Sequence, residues 1–341
     1  MPPLISVIVA NWNGRRYLEK CLASLAAQTY PALEVIVVDN GSSDGSVLWI
    51  AKHFPAVQVI ANPNNRGFAV ANNQGIALSR GAFVALLNND AWAEPGWLAN
   101  LYAAAEQESR VGMVASLMLS ADRPDLVDST GICVDRCGIS WDRAGGQSAA
   151  RWASGPAEVF GPCAGAALYR REMLDEVGGF DVDFFAYLED VDLAWRARWL
   201  GWQARYAPAA RVHHIHSGTG GEGSAFKTYW LARNKIVMIL KNYALPQLWL
   251  YLPLILIYDA MSLAAALSGA QRWSALRGRL DGWGAAPRAW RLRHARRKPA
   301  LSAREMQALL AAVAWPWQVA GRYQHIAVHR PPGDPTSSVA T

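Results

Sequence analysis

Along the first 90 residues, short continuous apolar runs alternate with longer runs whose apolar positions recur at helical spacing. Residues 4–10 form a β-branched run broken by Asn11-Trp12-Asn13-Gly14. Tyr17, Leu18, Cys21, Leu22 and Leu25 then mark one helical face. A second strand, 33–38, closes on Asp39-Asn40-Gly41-Ser42-Ser43-Asp44. The helix expected next, from Ser46 to about Phe54, has Ser and Asp at its mouth to cap it. A third strand, 57–61, leads through a loop containing Arg66 and Gly67 into a helix that carries Ala69, Asn72, Asn73 and Ile76. The run from Ala82 to Leu87 is apolar without alternation, the pattern of a strand buried on both faces of a largely parallel sheet. It stops abruptly at Asn88-Asn89-Asp90. Strands alternating with helices predict βαβ units and a doubly wound, mixed α/β sheet.

Beyond residue 90 the pattern predicts a helix from Pro95 and a strand over 111–119. Residues 120–156 are rich in Gly, Asp and Arg and poorly periodic, and are expected to form short strands and a mobile loop. Residues 160–170 return to small and apolar types, which let backbone come close to a ligand. Glu189, Asp190 and Asp192 then open a helix whose inner side carries Leu193, Ala194, Ala197 and Leu200. Acids in a first turn suit the helix dipole, which by itself accounts for some of them. A short strand at 204–207 precedes His213, His214 and His216. Three histidines within four residues favour a metal role over a merely structural one. The Gly-rich run 217–224 reads as a flexible lid.

Composition changes this picture mainly at the C-terminal end. The chain has 341 residues, 52% of them hydrophobic, with a formal charge of +6 and sixteen tryptophans. Residues 249–267 are almost wholly apolar, broken by Pro253, Asp259 and Ser262, and eight arginines and Lys298 follow within 272–298. The run is long enough to span a bilayer, but an acid near its middle and a proline within it favour a helix lying in an anionic membrane interface. A buried core helix is the alternative. Nucleic-acid binding fits less well, because the aromatics adjoin an apolar stretch and no reader fold is evident. Four scattered cysteines argue against a disulfide scaffold. Cys133 and Cys137 are spaced to share a helical face, without a histidine nearby for a zinc site. The N-terminus enters a strand pattern directly, with no cleavable signal, so a reduced, cytosolic setting is expected.

Polar groups at the carboxyl edge of an open α/β sheet are where ligands bind. A carboxylate at Asp90 suits a hard divalent cation, Asp39 can accept from a base or ribose, and the Arg66 guanidinium can meet phosphate. Each has a plain turn or solvated-loop alternative when taken alone. Together, SVIVANWNG, VVDNGSSDGS, NNRGFAVANNQGI and FVALLNNDA resemble the nucleotide-binding half of family 2 glycosyltransferases with the GT-A fold, in the rhamnosyltransferase-like branch. That family's metal motif is usually Asp-x-Asp; here it reads Asn88-Asn89-Asp90, with one carboxylate. The resemblance covers about residues 4–241. It implies an inverting transfer of a sugar, rhamnose among the options, from a dTDP- or UDP-sugar to a glycan or polyprenyl-linked hydroxyl in bacterial cell-surface polysaccharide synthesis. It further implies Asn11, Asp39, Arg66, Asn73 and Asn89 at the nucleotide, and Asp190 as general base. Mg²⁺ or Mn²⁺ would sit on Asp90 and His214, with His216 the runner-up to His214. The expected organisation is a catalytic domain at 1–241, a helical membrane-associating region at 242–330 and a disordered tail at 331–341, peripheral on the cytoplasmic face of the inner membrane. A nucleotidyltransferase of similar fold and a catalytically silent membrane scaffold are the alternatives. A Gly-rich phosphate loop after the first strand would mark the former, and NWNGRR is a poor example of one.

Overall fold

The computed structural model describes residues 2–155, 157–215, 223–295 and 297–319. The strands are β1 (Ile5–Asn11), β2 (Leu33–Asp39), β3 (Gln58–Ala61), β4 (Phe83–Leu87), β5 (Ala91–Ala93), β6 (Val111–Ser120), β7 (Val127–Ser129), β8 (Ile132–Val134), β9 (Ser140–Asp142), β10 (Ala166–Arg170) and β11 (Gln203–His214). The helices are α1 (Arg15–Ala26), α2 (Ser46–His53), α3 (Phe68–Leu78), α4 (Trp97–Ala105), α5 (Ala149–Trp152), α6 (Arg171–Val177), α7 (Glu189–Trp199), α8 (Ala225–Asn242), α9 (Leu245–Leu267), α10 (Arg272–Gly284), α11 (Ala286–His294) and α12 (Ala303–Ala308).

One nine-stranded sheet runs β3-β2-β1-β4-β10-β6-β11-β5, with β7 added beside β6 and β8–β9 forming a separate hairpin. β3, β2, β1 and β4 are parallel, as the alternation of strands and helices requires. All five residues of β4 are buried, as a two-sided apolar run demands. The sheet becomes mixed where β10 inserts antiparallel between β4 and β6, and again where β5 pairs antiparallel with β11. Because strand side chains alternate, Ile5, Val7 and Val9 join α1 and α4 in one core, whereas Ile8 joins α3, α7 and α8 in the other.

Two sequence-based expectations fail locally. β11 does not stop at Ala207: it absorbs Pro208–Ala210 through a register shift between Ala207 and Arg211 and continues to His214. A bulge accommodates a proline that cannot donate to a regular ladder. Cys133 and Cys137 do not share a helix either; one lies in β8 and the other in the turn after it, and neither is in a disulfide.

The C-terminal helices are joined to the core through α8. Ala275, Gly278, Arg279 and Gly282 form the buried face of α10. A Cβ at Gly278 would lie 2.4 Å from the Tyr229 carbonyl, so glycine is what allows α10 to lie directly on α8. Asp259, in the middle of α9, is not isolated: Arg279 grips it with Nε and Nη2 at 2.9 and 3.1 Å, and Lys235 Nζ lies 3.7 Å away. By length and composition α9 could cross a bilayer, and 6% of its most apolar window is buried in the protein. It is therefore not a core helix.

Asp192 fastens α7 to α8. Its carboxylate is fully buried and receives Arg196 Nε at 2.7 Å, Lys241 Nζ at 2.9 Å and Asn242 Nδ2 at 2.7 Å; Lys241 also reaches Asp181 at 2.7 Å. Burial alone would raise its pKa, but Arg196 and Lys241 outweigh it and hold the carboxyl well below the usual range. Asp192→Ala removes the carboxylate that Arg196, Lys241 and Asn242 share and leaves buried Lys241 with Asp181 alone. We expect a loss of about 3–5 kcal/mol in unfolding free energy by urea titration; a change within about 0.5 kcal/mol would contradict the tie.

Candidate active site

The carboxyl ends of β1, β2 and β4 meet in a polar corner. Parallel pairing sets Asn11 beside Asp39. Asn11 Nδ2 donates to Asp39 Oδ2 at 2.8 Å, and Asn11 Oδ1 accepts from Asn89 Nδ2 at 2.8 Å. The Ser42 amide donates to the other oxygen of Asp39 at 2.8 Å. All three side chains are buried, so the sheet itself fixes their aim. Gly14, where α1 begins, presses into this corner: a Cβ there would stand 1.9 Å from Asn89 Nδ2 and 2.6 Å from Asn11 Oδ1.

The other nucleotide-binding candidates are disposed differently. Arg66 is exposed, in the loop that leads into α3. Asn73 lies on α3 itself and is stapled to Phe180, donating to its carbonyl at 2.8 Å and accepting from its amide at 3.0 Å. It takes no part in the Asn11–Asp39–Asn89 network.

Asp90 and His214 are brought together by the pairing of β11 with β5, which sets His214 opposite Ala91. Asp90 is buried, and its Oδ1 accepts no hydrogen bond. His214 Nε2 stands 3.3 Å from that oxygen and 3.3 Å from Asn88 Nδ2. On the far side of the ring, Nδ1 lies 2.7 Å from Asp128 Oδ2. An ionised carboxylate only accepts, so Nδ1 carries the proton and Nε2 is left to face Asp90. Burial disfavours the imidazolium, but the charges of Asp90 and Asp128 outweigh it and hold the His214 pKa well above its ordinary value.

A buried carboxylate oxygen facing an imidazole nitrogen would fit a divalent cation that displaces the proton the two acids favour on the ring. Among the described residues no group of three or more His, Cys, Asp or Glu is arranged to hold one, so the protein would supply only part of the coordination shell. His213 faces the other way, as its neighbouring position on a strand dictates: it stacks on Trp92 at 5.5 Å and lies 3.5 Å from Glu94. His216 and residues 217–222 of the expected lid lie outside the described residues. Asp128 escapes a reading of the sequence, because it sits in the aperiodic stretch 120–156 and meets His214 only through β7 pairing with β6.

Asp190 stands in the first turn of α7. Its Oδ2 accepts from the Ala164 amide at 3.1 Å and its Oδ1 from the Val191 amide at 2.8 Å. The next residue, Gly165, accepts from the Asn88 amide at 2.8 Å. Two consecutive residues thus tie Asp190 to the end of β4. Burial, reinforced by the charge of Asp142, pushes the Asp190 carboxyl up to about 6, against the pull of its backbone donors. Its neighbour Glu189 is buried, has an Oε2 without a hydrogen bond, and is raised well above the usual range by burial and by Asp190. The two acids differ in surroundings: burial drives Glu189 toward its neutral form, whereas Asp190 keeps two backbone donors that favour its charge. Just before them, Phe185, Tyr187 and Leu188 have φ of 57°, 67° and 68°. Left-handed backbone at non-glycine residues costs on the order of 1–3 kcal/mol each and clusters at functional sites.

Residues 6–178 match the family model described as glycosyl transferase family 2. The N-acetylglucosaminyl-diphospho-decaprenol L-rhamnosyltransferase of Mycobacterium tuberculosis (strain H37Rv) is 31% identical over 247 residues, covering 64% of this chain and 79% of the relative. An uncharacterized glycosyltransferase, alr2836, of Nostoc sp. is 30% identical over 183 residues, 52% of this chain and 54% of that one. Among solved structures, the mannosyltransferase PcManGT of Pyrobaculum calidifontis, in complex with GDP-Man and Mn²⁺, superposes with a TM-score of 0.53 at 21% identity, covering 86% of this chain and 85% of its own. S. aureus TarS 1-349 in complex with UDP-GlcNAc gives 0.56 at 17% identity, with 90% and 84% covered. These structures share the GT-A fold. The family match over half of its length, together with a rhamnosyltransferase relative covered over most of its own, establishes that the chain is a member of glycosyl transferase family 2.

Proposed function

We propose that the protein transfers a sugar, with inversion, from a nucleoside diphosphate to a hydroxyl of a glycan or polyprenyl-linked acceptor. The observation that carries this is Asp190: a carboxylate with a pKa raised to about 6, tied by Ala164 and Gly165 to the strand end that carries Asn88, Asn89 and Asp90. Asp39, Asn11 and Asn89 would hold the base and ribose, and Arg66 would reach the phosphates from its exposed loop. Asn73 would contribute indirectly, by fixing α3. The acceptor oxygen attacks the anomeric carbon as the bond to the diphosphate breaks, and its proton passes to Asp190, which burial keeps basic. Asp90 and His214 would hold Mg²⁺ or Mn²⁺, with Asp128 fixing the imidazole. Such an ion, when bound, neutralises the diphosphate as it departs. The mycobacterial relative, named for rhamnosyl transfer to a decaprenyl-linked sugar, supports a rhamnosyl donor such as a dTDP-sugar and a lipid-linked acceptor. The TarS complex with UDP-GlcNAc keeps UDP-sugars among the donors to test. Synthesis of bacterial cell-surface polysaccharide is the setting that suits both.

A lipid-linked acceptor suits the C-terminal helices. Trp249, Leu250, Leu256 and Ile257 of α9 and Trp273, Leu280 and Trp283 of α10 are each about half exposed or more. Burying such a side chain is worth about 1.5–3 kcal/mol, so a row of them favours an apolar phase. The Asp259–Arg279–Lys235 cluster midway along α9 disfavours a full span and favours a helix lying in the interface, with the arginines of 272–298 on anionic headgroups. The catalytic part, 1–241, would then work peripherally on the cytoplasmic face.

Three measurements test these roles. Asp190→Asn should lower kcat by at least about 10²-fold with donor Kd little changed. In the unmutated enzyme kcat/KM should fall about tenfold per pH unit below about 6, where the base is protonated, and turnover remaining in the variant should lack that limb. Near-normal turnover by the variant would remove Asp190 as base. EDTA should abolish activity and Mn²⁺ or Mg²⁺ restore it, with Asp90→Ala weakening divalent-dependent donor binding more than His214→Ala; full activity in chelator would eliminate the cation. On sedimentation with vesicles the full chain should bind anionic more than neutral lipid, and less at high salt. Failure to bind anionic vesicles at low salt would refute the interface, and resistance to both salt and carbonate would replace it with a spanning helix.

A further inference from the structure

We infer that Asn234 is a positioning residue for Asp190, clamping from α8 the left-handed loop from which α7 starts. The inference rests on the base role proposed for Asp190. Asn234 is completely buried, and its Nδ2 lies 2.8 Å from the Phe184 carbonyl, 2.9 Å from that of Ala186 and 2.8 Å from that of Tyr187. Three acceptors around one amide nitrogen settle which end of the carboxamide faces the loop. Its Oδ1 accepts from Arg233 Nη1 at 2.8 Å, and the same guanidinium donates to the Asp183 carbonyl at 2.8 Å and to its carboxylate at 3.0 Å. Two neighbouring residues of α8 therefore hold the backbone from 183 to 187.

That backbone needs holding. Phe185, Tyr187 and Leu188 are all left-handed, a conformation that side chains with a Cβ leave readily when free to do so. Leu188 is the N-cap of α7, and its carbonyl accepts from the Asp192 amide at 3.0 Å. A rotation at 187 or 188 therefore re-aims Glu189 and Asp190 directly. The body of α7 has a separate anchor in the Asp192–Lys241–Asn242 cluster. Loss of the Asn234 donor should consequently displace the first turn of α7 while the rest of the helix stays in place. The donor corner is built from β1, β2 and β4 and does not pass through Asn234.

The test compares Asn234→Ala, Asn234→Ser and Asn234→Asp in the full chain, alongside Asp190→Asn. Asn234→Asp keeps the shape but turns an oxygen toward three carbonyls. We expect kcat to fall about 10²-fold in N234D and about tenfold in N234A, with N234S closer to the parent because its hydroxyl can still donate. Donor Kd by calorimetry should stay within about threefold. By hydrogen exchange, amides 184–188 of N234A should exchange at least about tenfold faster while those of the last turns of α7 do not change. Should N234D fail to fold, N234A and N234S decide the matter. Unchanged loop exchange in N234A would overturn the clamp; faster exchange with unchanged kcat would overturn its role in placing the base. A parallel loss of donor affinity and α7 protection would make Asn234 structural only. Near-normal turnover in D190N would overturn the base itself, with the exchange data still reporting separately on the clamp.

Discussion

A full negative charge at Asp192, fully buried, constrains the catalytic half of the protein more than any other single group. A carboxylate in that position is tolerated only when cations and donors surround it at hydrogen-bonding distance, and here they come from two helices: Arg196 from its own α7, and Lys241 and Asn242 from α8. The cluster reaches Asp181 through Lys241 as well, so the chain before α7, the helix itself and α8 are locked at one point. Charges in such a cluster have few alternative arrangements, because any shift leaves one of them unpaired. The place of Asp190, less than a turn away along α7, follows from that restriction.

Around this anchor the active site is assembled from strand ends. Asn11 and Asp39 are paired by the register of β1 with β2, and Asn89, in the turn just after β4, is held by its bond to Asn11. Asp90 and His214 depend on a different pairing, β11 with β5, and on Asp128 from β7. Ala164 and Gly165 run between the two groups and touch both, through Asp190 and Asn88. The arrangement separates two tasks electrostatically. Neighbouring acids meet an imidazole around Asp90, where charge neutralisation is wanted. Asp190 sits where burial raises its pKa, beside a Glu189 that burial pushes further toward the neutral form.

The C-terminal helices extend the same beam. α8 is in contact with the catalytic loop through Arg233 and Asn234 and with α10 through the Tyr229 carbonyl, against which Gly278 lies. The apolar surface of α9 and the base loop are thus joined through one helix. A lipid-linked acceptor held at that surface would meet a site whose geometry is set by the helix on which the surface is mounted.

The apolar runs of the sequence were enough to read four parallel strands and their crossover helices, because a two-sided strand and a one-sided helix differ in period. The polar residues at the element ends were legible too: Asp39 closes β2, Asp90 lies just beyond β4 and Asp190 falls in the first turn of α7. Asp128, Asn234 and the Asp192–Lys241 pair were not legible, because each acts on a partner 47 to 86 residues away. Local pattern carries no information about which strand will lie beside which. The same holds for Asn73, which the family resemblance assigns to the nucleotide and which is bonded to Phe180, and for β11, which the sequence ends at a proline and the sheet carries past it. His213 and His214 look equivalent in the chain, and only the register of β11 sends one toward Trp92 and the other toward Asp90. Sequence determined the elements and the polar residues at their ends; pairing and helix packing decided which polar groups meet, since those contacts exist only once the sheet has closed.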